Sequence, residues 1–269
     1  MIKLSAIYKN FDEQEVLKNI NLKFLPGEFN CILGPTGCGK TTLLRIIAGL
    51  LKPDSGVVKI EKPSISMIFQ QQTLYPWRNA LSNVCLPLEF KGYSKKERIK
   101  MAMERLAEVD VADAARKKVF QLSGGMQQRV QIARALVSNP SVLLADEPFG
   151  SLDEKTRYKL QKKLREITLS NNMTTVFVTH NIEEAIYLGD RIIVIGNKEI
   201  HADFDLTTPH PRDRLSGWFT EKILEVRNVF ETLIADEDMG DNVEKTEEPE
   251  ENNDPFKTMK LDVTTDENE

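Results

Sequence analysis

Gly34-Pro35-Thr36-Gly37-Cys38-Gly39-Lys40-Thr41 fits the phosphate-loop pattern G-x-x-x-x-G-K-[ST]. A short pattern also arises by chance as a plain surface turn, so its neighbours decide its meaning. Upstream, Phe29-Asn30-Cys31-Ile32-Leu33 reads as a buried strand; downstream, Thr42 to Leu50 reads as a helix. Strand, glycine loop and helix are the arrangement that phosphate binding needs. The glycines let backbone N–H groups turn inward on phosphate oxygens, and the helix N-terminus adds the positive end of its dipole. Lys40 is placed to reach the β- and γ-phosphates, the Thr41 hydroxyl to ligate Mg²⁺, and Gly34 through Thr42 form the nucleotide-binding stretch.

The composition sets outer limits. The 269 residues allow one large domain or two small ones, and 41% hydrophobic with 29% charged residues suits a globular protein with a sizeable core. The longest apolar run, Leu43 to Leu51, is interrupted by Arg45 and falls short of the ~18 residues of a membrane span. The start, Met1-Ile2-Lys3-Leu4, has no signal-peptide architecture. Cys31, Cys38 and Cys85 form neither a metal spacing nor a paired framework, which suits a reducing cytoplasm. Any link to a membrane is therefore expected to run through a partner. Charge is unevenly spread: residues 236–269 hold 14 acidic and 3 basic side chains (−11), and the rest hold 27 acidic and 33 basic (+6). That tail is poor in large apolar side chains and is expected to be disordered.

Residues 2–8, 16–25 and 57–60 read as short strands. Phe11 lies between the first two; it suits stacking on a purine base as well as packing in a hairpin. Met67-Ile68-Phe69-Gln70 reads as a strand ending in a glutamine, which could serve a metal's hydration shell or be a solvated strand end. Pro76 makes Gln71 to Arg78 a loop. From Leu81 to about Leu106 the pattern is helical and amphipathic, and residues 84–121 carry no strand signal, which suggests a helical insert in an α/β protein. Ser123-Gly124-Gly125 then opens a helix to about Val137, a second helix start able to bind an anion, with serine as cap or phosphate donor.

Ser141 to Glu147 is an apolar strand ending in two acids. Strand ends of open α/β sheets face the ligand crevice, so Asp146 is expected to hold Mg²⁺ and Glu147 to polarise an attacking water. Ser151-Leu152-Asp153 begins a helix, where Asp153 suits the first turn or a plain cap. Thr174 to Thr179 is a further strand, and His180 at its end faces the same crevice. Arg191 to Ile195 is another buried strand. Pro209-His210-Pro211-Arg212-Asp213-Arg214 follows, then an amphipathic helix from about Trp218 to Leu233.

Together these residues resemble the ATP-binding subunits of ABC transporters, from about residue 2 to 233. The most specific element is Leu122-Ser123-Gly124-Gly125-Met126-Gln127-Gln128-Arg129, which matches the family signature. The resemblance implies an α/β P-loop NTPase of RecA-like type, with a mixed-sheet core, an antiparallel β subdomain and an α-helical insert at about 84–130. It divides the chain into a cassette at 1–235, with a C-terminal helical segment at about 205–235, and the acidic tail at 236–269. It places Gln70 on the Q-loop, Asp146 on the Walker B aspartate, Glu147 on the catalytic base, Asp153 on the D-loop, His180 on the switch histidine and Phe11 on the adenine-stacking aromatic, commonly Tyr. The implied catalytic residues are Lys40, Gln70, Glu147 and His180. Ser123, Gly124, Gly125 and Asp153 join the nucleotide site, and Thr41, Gln70 and Asp146 the Mg²⁺ site. Phe69-Gln70, Leu74-Tyr75-Pro76-Trp77-Arg78 and His210-Pro211-Arg212-Asp213-Arg214 look like the nitrate, sulfonate and taurine importer branch, with Gln71 where an acid is usual. That branch works at the cytoplasmic face of the membrane as a homodimer, with a transmembrane permease and an extracytoplasmic substrate-binding protein and no nucleic acid. The alternatives are a soluble cassette acting on nucleic acid or the ribosome, and an exporter ATPase. Cys38, at a helix start and beside Lys40, is favoured as a thiolate.

Overall fold

The computed structural model describes residues 1–61, 64–206 and 208–243, with side chains described as far as Leu233. In chain order come β1 (Ile2–Phe11), β2 (Gln14–Phe24), β3 (Phe29–Leu33), α1 (Lys40–Ile47), β4 (Ser55–Ile60) and β5 (Ile65–Ile68). Then follow α2 (Ala80–Phe90), α3 (Lys95–Glu108), α4 (Gly124–Leu136), β6 (Val142–Asp146), α5 (Glu154–Ser170), β7 (Thr174–Val178), α6 (Ile182–Leu188), β8 (Arg191–Gly196), β9 (Glu199–Asp205) and α7 (Gly217–Val243).

Among the described residues the strands form two sheets, ordered β5-β6-β7-β3-β8-β9 and β2-β1-β4. The larger is parallel except at β9, which runs antiparallel to β8. The smaller is antiparallel throughout. This is the mixed sheet with an antiparallel β subdomain expected of a P-loop NTPase.

Strands β3, β6 and β7 are buried at every position, as a parallel sheet covered on both faces requires. Alternate residues go to opposite sides. Phe29, Cys31, Leu33, Leu143, Ala145 and Phe177 join the helices α2 to α6 in one core. Ile32, Leu144, Val176 and Val178 join α1 and the antiparallel sheet in the other. The parallel register then aligns the strands' C-terminal ends, Leu33, Asp146 and Val178, along one edge.

Several boundaries differ from the sequence reading. The helix expected as one piece from Leu81 to Leu106 is two. It breaks at Gly92, where φ is 78°, and α3 restarts at a capping box in which Ser94 accepts from the Glu97 N–H and Glu97 reaches back. Strand β9, just before the segment expected to be helical, was not expected; Asn197 and Lys198, at φ 45° and 71°, turn the chain back without the usual glycine. Helix α7 continues past residue 235 to Val243, so residues 236–243 are helical rather than disordered; residues 244–269 lie outside the described residues. No helix among the described residues is long and apolar enough to cross a membrane.

Candidate active site

The loop at residues 34–39 joins β3 to α1 at the aligned strand edge. Gly39 sits at φ 97°, and a Cβ there would lie 2.7 Å from Leu17 Cδ2 and 2.9 Å from the Val16 carbonyl. Only glycine takes that turn against β2 without strain. A Cβ on Gly34 would meet the Ile195 carbonyl at 2.2 Å, so β8 also walls the loop. Helix α1 starts at Lys40, two residues before the expected start, with no side-chain cap. Its first N–H groups are thus left for a ligand.

A cleft of 180 Å³ opens there, lined by Thr36, Gly37, Gly39, Lys40, Thr41, Thr42, Gln70, Glu147 and Val178. The Lys40 ammonium donates to the Gly34 and Pro35 carbonyls at 2.8 and 2.6 Å and lies 3.7 Å from Cys38 Sγ. The Thr41 hydroxyl donates to Asp146 Oδ2 at 2.8 Å. Burial pushes the Asp146 carboxyl up; the Thr41 hydrogen bond opposes this and the Glu147 charge adds to it. A cation beside Asp146 would relieve both unfavourable effects. Hydroxyl, carboxylate and amide oxygens are the hard donors Mg²⁺ takes, so the residues present fit it.

Glu147 carries the centre of the site. Its φ of 43° lies in the left-handed region, a strained conformation for this residue, and its N–H donates to the Val178 carbonyl at 3.0 Å. Gln70 Nε2 donates to Glu147 Oε2 at 3.3 Å, and His180 Nδ1 lies 3.1 Å from Glu147 Oε1. Residues far apart in sequence therefore converge on one carboxylate from the ends of β5, β6 and β7. Behind it lies a second cavity, 90 Å³, lined in part by Arg157, Thr179, His180 and Glu184.

Other expected site residues lie elsewhere. Ser123 caps α4, accepting from the Met126 N–H at 3.3 Å, and Ser123 and Gly124 are exposed. Asp153 caps α5, accepting from the Thr156 N–H at 3.0 Å, so of its two sequence readings the plain cap is the one it takes, and the helix begins at Glu154. Neither they nor Gly125 line the Lys40 cleft. Phe11 ends β1 and is half exposed, with the Lys9 ammonium 5.3 Å from its ring centre. It also lies outside the cleft lining, on the hairpin whose β2 touches Gly39.

A family model described as "ABC transporter" matches residues 17–150. An uncharacterized ABC transporter ATP-binding protein of Methanocaldococcus jannaschii is 42% identical over 241 residues, covering 86% of this chain and 90% of that one. This chain belongs to the ABC transporter family of ATP-binding cassettes. It is an ATPase; Lys40 and Glu147 line one cleft, and His180 meets Glu147 from the adjoining cavity. Among further relatives of the cassette is the aliphatic sulfonates import ATP-binding protein SsuB 1 of Shouchella clausii, 41% identical over 84% of this chain and 90% of that protein. The spermidine/putrescine import ATP-binding protein PotA of Vibrio cholerae is 41% identical over 88% of this chain and 65% of its own length. A bacterial ABC transporter cassette solved as a dimer matches at TM-score 0.73 with 40% identity, over 78% of this chain and all of that one. A dimeric post-hydrolysis state bound to ADP and Pi matches equally well, at TM-score 0.73.

The sequence reading missed the groups behind His180. Glu184 is buried and accepts from Gln161 and Thr179. Asn181-x-x-Glu184 has capping-box spacing. Asn181 does cap α6, but the Glu184 carboxylate turns inward instead of back to the cap. Only its partners, Gln161 on α5 and Thr179 just past the end of β7, give it that direction.

Proposed function

We propose that this cassette powers an importer: it hydrolyses ATP at the cytoplasmic face of a membrane, as a peripheral homodimer bound to a separate transmembrane permease. The transported solute is a small organic or inorganic anion of the sulfonate, taurine or nitrate kind, delivered by an extracytoplasmic binding protein. The observation that carries the hydrolytic part is the convergence of Gln70 and His180 on Glu147 beside Lys40 and Asp146. The import part is supported by relatives named for sulfonate import. The segment Leu74–Arg78 is the docking neighbourhood for the permease. There Trp77 is 68% exposed, its ring 5.1 Å from Tyr75, an aromatic pair suited to a helix from a partner.

In the cycle, Lys40 exchanges the Gly34 and Pro35 carbonyls for β- and γ-phosphate oxygens, and the loop N–H groups bind the remaining charge. Thr41 and Asp146, with Gln70 beside them, would hold the Mg²⁺ that accompanies ATP and neutralises charge on the phosphates. Glu147 takes a proton from the attacking water, held in orientation by Gln70 and His180. Phe11 stacks on the adenine. Ser123, Gly124, Gly125 and Asp153, which lie outside the cleft of their own chain, complete the facing copy's site.

Glu147→Gln tests the base: ATP binding should persist while kcat falls about a thousandfold. Hydrolysis at the wild-type rate would overturn the assignment. Transport is tested in liposomes with the neighbouring permease, where taurine or an alkanesulfonate should stimulate hydrolysis and accumulate. The PotA relatives favour one second reading, polyamine uptake; accumulation of spermidine instead of the anion would select it.

A further inference from the structure

Arg214 is 34 residues beyond His180 in the chain, yet a run of hydrogen bonds leads from it to the backbone that flanks His180. Its guanidinium carbon lies 3.8 Å from the Tyr158 ring centre and 3.9 Å from that of Tyr187, so it is sandwiched between rings of α5 and α6. Arg214 Nη2 donates to Gln161 Oε1. Gln161 Nε2 donates to Glu184 Oε1 at 2.7 Å, and the other Glu184 oxygen accepts the Thr179 hydroxyl. Thr179 Oγ1 in turn accepts the Asn181 N–H at 3.1 Å, while the Thr179 N–H is tied to the Ile32 carbonyl at 3.2 Å. The backbone on both sides of His180 is therefore fixed, and its imidazole meets Glu147 at 3.1 Å.

Gln161, Thr179 and Glu184 are all buried. Burial raises the Glu184 carboxyl pKa, and the hydrogen bonds from Thr179 and Gln161 pull it back. In such surroundings a missing partner leaves another polar group unsatisfied, so the run behaves as a unit. Its two ends are unlike: one is the hydrolytic cleft, the other the segment that leads into α7.

We propose that Glu184 is a positioning residue for His180, and that Arg214 holds Glu184 in place, so the C-terminal segment sets the histidine's orientation. The proposal rests on the reading of His180 as part of the hydrolytic site. Without its acceptor, the Thr179 hydroxyl turns away and releases the Asn181 N–H. His180 then spends less time aligned with Glu147, which costs rate. ATP binding at the Lys40 loop is untouched, so the loss falls on kcat and not on KM.

The test uses the full-length chain and steady-state hydrolysis, with Glu184→Met, which removes both acceptor oxygens at similar length, and Arg214→Ala made alone and in a His180→Ala background. The expected result is a fall in kcat of about tenfold for each single variant, KM for ATP within about twofold, and no further fall when His180 is already gone. Unchanged kcat in the single variants overturns the proposal. So does an equal loss in both backgrounds, the pattern of a plain structural defect. Wild-type turnover by His180→Ala alone would instead overturn the reading of the histidine, and the proposal with it. If Arg214→Ala does not fold, Arg214→Lys keeps the charge and loses the planar stack between the tyrosines; the same outcomes apply.

Discussion

Glu147 shows the trade made at a single residue. A left-handed backbone costs a non-glycine residue roughly 1 kcal/mol, and here it lets a carboxylate meet both Gln70 and His180. Glu147→Gly should therefore raise thermal stability by about 1 kcal/mol while abolishing hydrolysis, readable by calorimetry and phosphate release. Cys38 differs from the other thiols in a measurable way. Burial raises the Cys31 and Cys85 pKa values, in Cys31 well above the usual range. Cys38 is only half-buried and lies 3.7 Å from the Lys40 ammonium. A maleimide should label Cys38 first and stop hydrolysis, and ATP should protect it; equal labelling with and without ATP would count against a nucleotide over that loop.

At the scale of elements, two junctions carry predictions. Asp190, just before β8, accepts from the Phe29 N–H at 2.9 Å and pairs with Arg165 of α5, tying β3, α5 and β8 together. Burial alone would raise its pKa, but His210, the Phe29 N–H and Arg165 hold it down at about 2. A carboxyl that titrates lower when folded contributes full stability above its unfolded value of 3.8, and loses it as pH falls towards about 2. Asp190→Asn should cost about 2 kcal/mol near neutrality and flatten the acid limb of stability between those values, followed by denaturant melts at stepped pH. The second junction is the start of α3. Ser94→Ala removes a cap worth about 1 kcal/mol, which should loosen the helical insert and leave basal hydrolysis intact.

For the whole molecule, the geometry makes a genetic prediction. The Lys40 cleft lacks Ser123 and Asp153 of its own chain, and a similar cassette is dimeric. With head-to-tail pairing, Lys40→Ala and Ser123→Arg each ruin both sites of a homodimer. A mixed dimer, however, keeps one site in which loop and signature are both intact. Each variant alone should be inactive, and an equal mixture should recover about a quarter of wild-type hydrolysis, since half the dimers are mixed and each has one working site. No recovery, in a mixture shown to contain mixed dimers, would mean that each chain completes its own pocket.

Chemistry carried by local pattern could be read from the chain itself. The glycine loop, the acidic strand end and the Ser123 helix start announce themselves because each needs particular residue types at neighbouring positions. The buried strands were legible for the same reason, since strands covered on both faces leave unbroken apolar runs; the mixed sheet came only from the family resemblance. The split at Gly92 and the capping box of Ser94 and Glu97 were visible as signals, but a continuous amphipathic pattern outweighed them. Strand β9 lacked a glycine turn and was passed over. What only the tertiary structure decided is which distant side chains meet: Gln70 and His180 on Glu147, and Arg214 through Gln161 and Glu184 to Thr179. Strand order and helix packing set those encounters, and neither is written in the spacing of residues along one element.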